Sequence, residues 1–250
     1  MTGYRGIDVK NTSPMDVARQ LTLAGHALYS KVEASEFMEL NFQKRPETHA
    51  PNYVVMKRFF NQVIMWAINQ VLAETDLAAR GETLKRLVQI ADRCLSPLHN
   101  YDGLLAIVSA LQTSQIHRLK HAWARLDRKT QKVWEHLKAL TGSGGRKLRP
   151  LMEAAEPPCV PYVGLFLSAL IGCEEMPKTL SGDDTEGELI HFQVLRTIGD
   201  VIEQVLRYQQ TPYIFAVDEA IVTSFRNPQE YMTDDKQYDR SLELEPRQRQ

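Results

Sequence analysis

Apolar residues recur at three- and four-residue spacing along nearly the whole chain, the period of one face of an α-helix. Val17, Leu21, Ala24, Leu28 and Val32 form one such row, and Met56, Phe59, Phe60, Val63, Ala67 and Val71 a second. Leu84, Leu87, Val88, Ala91 and Leu95 make a third, which has to stop before Pro97 because proline cannot continue the hydrogen-bond ladder. Leu104, Ile107, Val108 and Leu111 follow, then Ile116, Leu119 and Trp123 as a fifth helix, then Val133, Trp134, Leu137 and Leu140 as a sixth. Residues 163–171 read as an apolar helix. Leu189, Phe192, Leu195, Ile198, Ile202 and Val205 line a longer one, and residues 217–225 form the last before a charged tail. Ser13 ahead of Pro14 and Asn100 ahead of Leu104 are helix-start signals. Thr141-Gly-Ser-Gly-Gly145 reads as a loop, as does the polar stretch 172–186. No strand pattern of useful length and no βαβ alternation interrupts this. The expected fold is all-α, one domain over residues 1–250.

Composition narrows the function classes. Of 250 residues, 43% are apolar and 24% charged, with a formal net charge of −1, which fits a folded globular chain rather than a disordered one. Near-neutral charge argues against a nucleic-acid binder driven by overall charge. The longest nearly apolar run, residues 161–172, is too short to span a bilayer, and the start lacks the apolar core of a secretory signal. Cys94, Cys159 and Cys173 lie far apart without a CxxC pair, which suits a reducing compartment. Charge is uneven locally. Residues 118–149 hold ten Lys/Arg against Asp127 and Glu135, a net of +8, and residues 174–188 hold six acids against Lys178, a net of −5.

Motifs for covalent, metal or hydride chemistry are missing. Gly142-Ser-Gly-Gly-Arg-Lys-Leu148 lacks the spacing of a phosphate loop and follows no strand. His117 and His121 share a helix face, but no HExxH glutamate lies between them and no third ligand suggests itself. Glu174 and Glu175 are adjacent, so on a helix they point in different directions.

Four segments, in order, carry a resemblance. They are Asp16-Val-Ala-Arg-Gln-Leu-Thr-Leu23; Asn100-Tyr-Asp-Gly-Leu-Leu-Ala-Ile-Val-Ser-Ala-Leu111 with Ile116-His-Arg-Leu119; Pro158-Cys-Val-Pro-Tyr-Val-Gly-Leu-Phe-Leu167 with Glu174-Glu175; and Tyr208-Gln-Gln-Thr-Pro-Tyr213 with the closing Ser241-Leu-Glu-Leu-Glu-Pro-Arg247. Together, over residues 13–247, they resemble the catalytic domain of Ras-type guanine-nucleotide exchange factors. The resemblance implies an all-helical body with a protruding helical hairpin, here residues 163–208, and the acidic turn at its tip. It implies a Ras-subfamily small GTPase (Ras, Rap or Ral type) as partner, no cofactor and no covalent step. The setting it implies is cytoplasmic, with the membrane reached through the lipid-anchored GTPase.

Carried over by position, Ile171 is the apolar wedge that crowds the magnesium site of the GTPase, and Glu175 the carboxylate that competes with phosphate contacts. Arg58, Leu105, Gln112, Ser114, His117, Lys120, Tyr162, Ser168 and Thr197 fall at GTPase-contact positions. Four departures from the family pattern bear on the choice of GTPase: Gly144-Gly145 for an aromatic pair, Lys57 for an apolar residue, Lys120 for an acid, and Met176-Pro177 after Glu175. The competing reading is a helical scaffold that binds a GTPase or another partner without releasing nucleotide. A third is a membrane-surface module using the basic stretch 118–149.

Overall fold

The computed structural model describes residues 7–181, 188–226 and 232–246. Fourteen α-helices are found among them. α1 (Pro14–Tyr29) is followed by 3-10 turns at Ala34–Glu36 and Met38–Leu40 and the short helices α2 (Asn41–Lys44) and α3 (Pro46–His49). The frame comes next, as α4 (Pro51–Ala73), α5 (Leu77–Leu95) and α6 (Tyr101–Gln112). Then come the single-turn helices α7 (Ser114–His117) and α8 (Lys120–Trp123), α9 (Arg128–Thr141), a 3-10 turn at Ser143–Leu148, and α10 (Arg149–Ala154). The hairpin consists of α11 (Gly164–Glu174), two three-residue strands β1 (Thr179–Ser181) and β2 (Glu188–Ile190), and α12 (Phe192–Leu206). α13 (Glu219–Arg226) and α14 (Asp234–Leu244) close the chain.

Side-chain caps start the long helices where the sequence places polar residues. Asp16 N–H donates to Ser13 Oγ (3.4 Å), Ala79 N–H to Asp76 Oδ2 (2.8 Å), Gly103 N–H to Asn100 Oδ1 (2.8 Å) and Thr130 N–H to Asp127 Oδ1 (2.8 Å). Each bond satisfies a donor that the helix itself leaves unpaired. α4, α5 and α6 pack on one another, with α1 against all three. Their shared interior holds Leu21, Trp66, Leu87, Ile90 and Leu104, none of them more than 1% exposed. Trp66 meets Phe225 of α13 edge-on, ring centroids 4.9 Å apart.

The fold corrects several expectations. α5 begins at Leu77, because Asp76 caps it, rather than near Leu84. The expected fifth helix is broken into α7 and α8 where Leu119 leaves helical geometry (φ −74°, ψ 67°). The expected loop 141–145 is largely helical turn. Gly144 and Gly145 take positive φ (68° and 76°), which glycine adopts without strain. α11 runs on through Gly172 to Glu174, and short antiparallel strands pair Thr179 with Ile190 where only a loop was expected. Residues 182–187 of the acidic turn lie outside the described residues. α12 starts at Phe192, not Leu189. The charged tail contains α14.

Candidate functional site

Two places gather the carried-over residues. The first is the hairpin. Its base is tied down from several sides. The Tyr208 hydroxyl donates to the Met152 carbonyl, and the Tyr29 hydroxyl to that of Val205. Gln209 Nε2 donates to the carbonyls of Tyr29 and Val32, each at 2.8 Å. The Arg149 guanidinium lies 5.5 Å from the centroid of the Phe166 ring. The 3-10 turns over residues 34–40 contact both α11 and α12.

Tyr162 stands at the foot of α11, half-buried, its ring tilted on Phe60 with centroids 5.8 Å apart. Burial holds its phenol above the ordinary range, so it stays neutral. Gly164 makes that placement possible: a Cβ there would come within 2.6 Å of the Tyr162 ring.

The far half of the hairpin is different. Ile171 is half-buried, Ser168 and Thr197 are exposed, and the Thr197 hydroxyl donates back to the Gln193 carbonyl (2.9 Å). Glu174 is occupied by Lys178 at 2.8 Å. The exposed side chain of Glu175 has no partner among the described residues. On the same hairpin Met176 (49% exposed), Ile190 (67%), Phe192 (69%) and Leu195 (41%) face outward. Phe192 and Leu195 were expected on the inward stripe of the long helix. Instead Val194, Val201, Ile202 and Val205 are the buried residues of α12. In the first turn of α12 Val194 is buried while Phe192 and Leu195 on either side of it stay exposed.

The second place is a cleft of about 660 Å³ between α6–α8 and α9. It brings together Gln112, His117 and Lys120, three of the expected contact residues. Lys120 Nζ lies 3.4 Å from His117 Nε2. Sequence reasoning missed the floor, a stacked pair of Trp123 and Trp134 with centroids 5.1 Å apart and planes inclined by 24°. The Trp123 indole N–H donates to the Ile116 carbonyl (3.0 Å). Lys138 covers the Trp134 ring at 5.6 Å and pairs with Glu135 at 2.7 Å. The signal was there: Gln131, Trp134, Glu135 and Lys138 share one face at helical spacing, next to the core face of α9.

The remaining expected residues lie elsewhere. Arg58 is exposed on α4 with no ion pair among the described residues, and Lys57 beside it is exposed. Ser114 lines a different groove, with Gln115, Asp234 and Tyr238. Leu105 is only 8% exposed and packs beside Gly145. Cys94 and Cys159 are buried, and burial raises both thiols, that of Cys159 to about 12, so neither is a thiolate nucleophile at neutral pH. His117 and His121 find no third ligand-type side chain among the described residues. No helix among the described residues is long and apolar enough to cross a membrane.

Comparison with known proteins gives the family. The RasGEF domain model matches residues 16–196. Ras-specific guanine nucleotide-releasing factor 2 of Danio rerio is 32% identical over 241 residues, which is 95% of this chain and 19% of the relative. Ras-specific guanine nucleotide-releasing factor 1 of Rattus norvegicus is 31% identical over 98% of this chain and 20% of the relative. Ras guanine nucleotide exchange factor Y of Dictyostelium discoideum is 31% identical over 83% of this chain and 14% of the relative. The chain thus spans a fifth or less of the length of these relatives. With an all-helical body, a tied-down hairpin and a family match that covers most of its length, the chain belongs to the RasGEF domain family.

Proposed function

We propose that this domain accelerates release of GDP from a Ras-subfamily small GTPase. The observation that carries the reading is the hairpin: fixed at its base, it holds out Glu175, which has no partner among the described residues, and the exposed apolar side chains of Met176, Ile190, Phe192 and Leu195. The cleft walled by His117, Lys120 and the tryptophan pair receives the mobile switch segment of the GTPase, and the hairpin displaces the segment that closes over the nucleotide.

No bond is made or broken in the protein. Nucleotide and its magnesium are held in the GTPase largely by charge, so the side chain of Ile171 against the cation site and a carboxylate at Glu175 both raise the energy of the loaded state. Linkage sets the rest. A domain that binds the nucleotide-free GTPase more tightly than the loaded form weakens nucleotide binding by the same factor. It therefore speeds exchange in both directions, and the more abundant nucleotide fills the site. Ras, Rap and Ral types are the candidate partners. Lys120 at the cleft and the exposed Lys57 on α4 add positive charge and favour a GTPase that presents acidic residues there.

Linkage also supplies the test. The domain should form a stable complex with one nucleotide-free GTPase of a Ras, Rap and Ral panel, and added GDP should dissociate it. A complex of equal stability with and without GDP would contradict exchange and leave a scaffold.

A further inference from the structure

The wall of the cleft is built from pieces that cannot hold their own shape. α7 and α8 have four residues each, and single turns of helix are not stable alone. Leu119 breaks the ladder between them. Yet these two turns carry His117, Lys120 and Trp123.

Their apolar sides are seated in the core through Ile116, Leu119 and Ala122, and their polar groups are met from the other end of the chain. The Arg118 guanidinium donates to the Ser241 carbonyl of α14, with the Ser241 hydroxyl at 3.4 Å. Gln115 Nε2 donates to Gln237 Oε1 (3.0 Å), and Gln237 is itself fully buried. Just past α14, the two carboxylate oxygens of Glu245 accept from the backbone N–H groups of His121 (3.0 Å) and Ala122 (3.1 Å). Glu245 thereby caps α8 from 124 residues away.

That carboxylate is 7% exposed and faces Arg80 at 3.7 Å, while Arg80 also donates to the carbonyls of Glu74 (2.9 Å) and Thr75 (3.2 Å) on the α4–α5 connection. Gly81 brings α5 close enough for this: a Cβ there would lie 2.6 Å from Arg125 Cβ. The cap is therefore anchored to the rigid frame, not to another loop.

We propose that Glu245 and Arg118 are positioning residues of the exchange reaction: through them the C-terminal helix holds α7 and α8, and with them the cleft, in the shape that takes up the GTPase. Neither side chain lines the cleft. Their effect is on capture of the GTPase, while the hairpin retains the work on the nucleotide. The proposal rests on the exchange reading for its kinetic part, and its structural part is tested without any GTPase.

The experiment compares Glu245→Gln, Arg118→Gln and Arg118→Lys. In the free domain, amide hydrogen exchange at His121 and Ala122 should quicken by about tenfold or more in Glu245→Gln, since each amide loses a charged acceptor. In nucleotide-release assays both glutamine variants should raise the KM for the GTPase about tenfold with kcat within about twofold, and Arg118→Lys should recover most of the loss. Arg118 is partly exposed, so its variants keep the test alive if Glu245→Gln folds poorly. Unchanged amide exchange in Glu245→Gln would overturn the latch. Faster amide exchange with KM unchanged, or a fall in kcat alone, would overturn its role in positioning. Faster amide exchange in a domain that releases no nucleotide would uphold the latch and overturn the exchange reading instead.

Discussion

The four-helix frame and the hairpin use apolar residues in opposite ways. In the frame, α1, α4, α5 and α6 bury their stripes almost completely, and Trp66, Leu87, Ile90 and Leu104 have essentially no exposed surface. In the outer hairpin, Met176, Ile190, Phe192 and Leu195 remain in the open. Leaving that much apolar area in water forgoes about 25 cal/mol per Å² of stabilisation. Exposed apolar residues gathered on one element are what a partner-binding surface needs, as the proposed function requires of the hairpin. The boundary between the two regimes is the set of bonds at the base, where Tyr29, Tyr208 and Gln209 tie the hairpin to the body. The frame carries the stability, and the proposed exchange work falls to the hairpin.

Substitutions can break or sharpen that contrast. Trp66→Ala in the frame should cost about 3–5 kcal/mol in urea unfolding, because it empties a filled interior and strands Phe225. A cost below about 1 kcal/mol would mean the frame is not the source of stability.

Asp102 gives the frame a pH signature. Burial pushes its carboxyl up to about 7, so the folded state holds that proton more tightly than the unfolded chain does. Its contribution therefore makes stability fall as pH rises from about 4 to about 7, then level off. Asp102→Asn should stabilise the domain at pH 8 by on the order of a few kcal/mol, with the gain shrinking toward pH 4. Parallel stability–pH curves for the two proteins would contradict this.

At the pivot, Tyr208→Phe should cost about 1 kcal/mol by removing the hydroxyl's bond to the Met152 carbonyl, which keeps only the Ala155 N–H, and exchange should slow because the hairpin base loses an anchor. At the tip, Phe192→Ser should change stability by less than about 0.5 kcal/mol while weakening complex formation with the nucleotide-free GTPase. A tip substitution that unfolds the domain would erase the distinction between the two regions.

Much of the frame was legible in the sequence because a helix that buries one stripe advertises it at fixed spacing. The rows through Val63 and Val71, and through Leu104 and Leu111, appear in the structure as read. The same logic misplaced Phe192 and Leu195. Periodicity reports which residues share a face, not whether anything covers that face. The break at Leu119 was invisible for a related reason: what caps α8 is Glu245, a contact with no local signature. Of the expected site, the structure brings Gln112, His117 and Lys120 into one cleft, sets Ile171 and Glu175 on the hairpin, and removes Leu105 into the core. Trp134 was read as core, yet its 7% of exposed surface forms the floor of the cleft together with Trp123. A single helix stripe could not separate its two roles.

The most direct test is release of a fluorescent GDP analogue from Ras, Rap and Ral GTPases, with the domain and with its Glu175→Ala and Ile171→Ala variants. The account predicts acceleration on at least one GTPase, reduced at least about tenfold in both variants, which still bind and still unfold as the parent domain does. Undiminished exchange by both variants would contradict the hairpin wedge, and a parent domain that binds a GTPase without speeding release would contradict exchange itself.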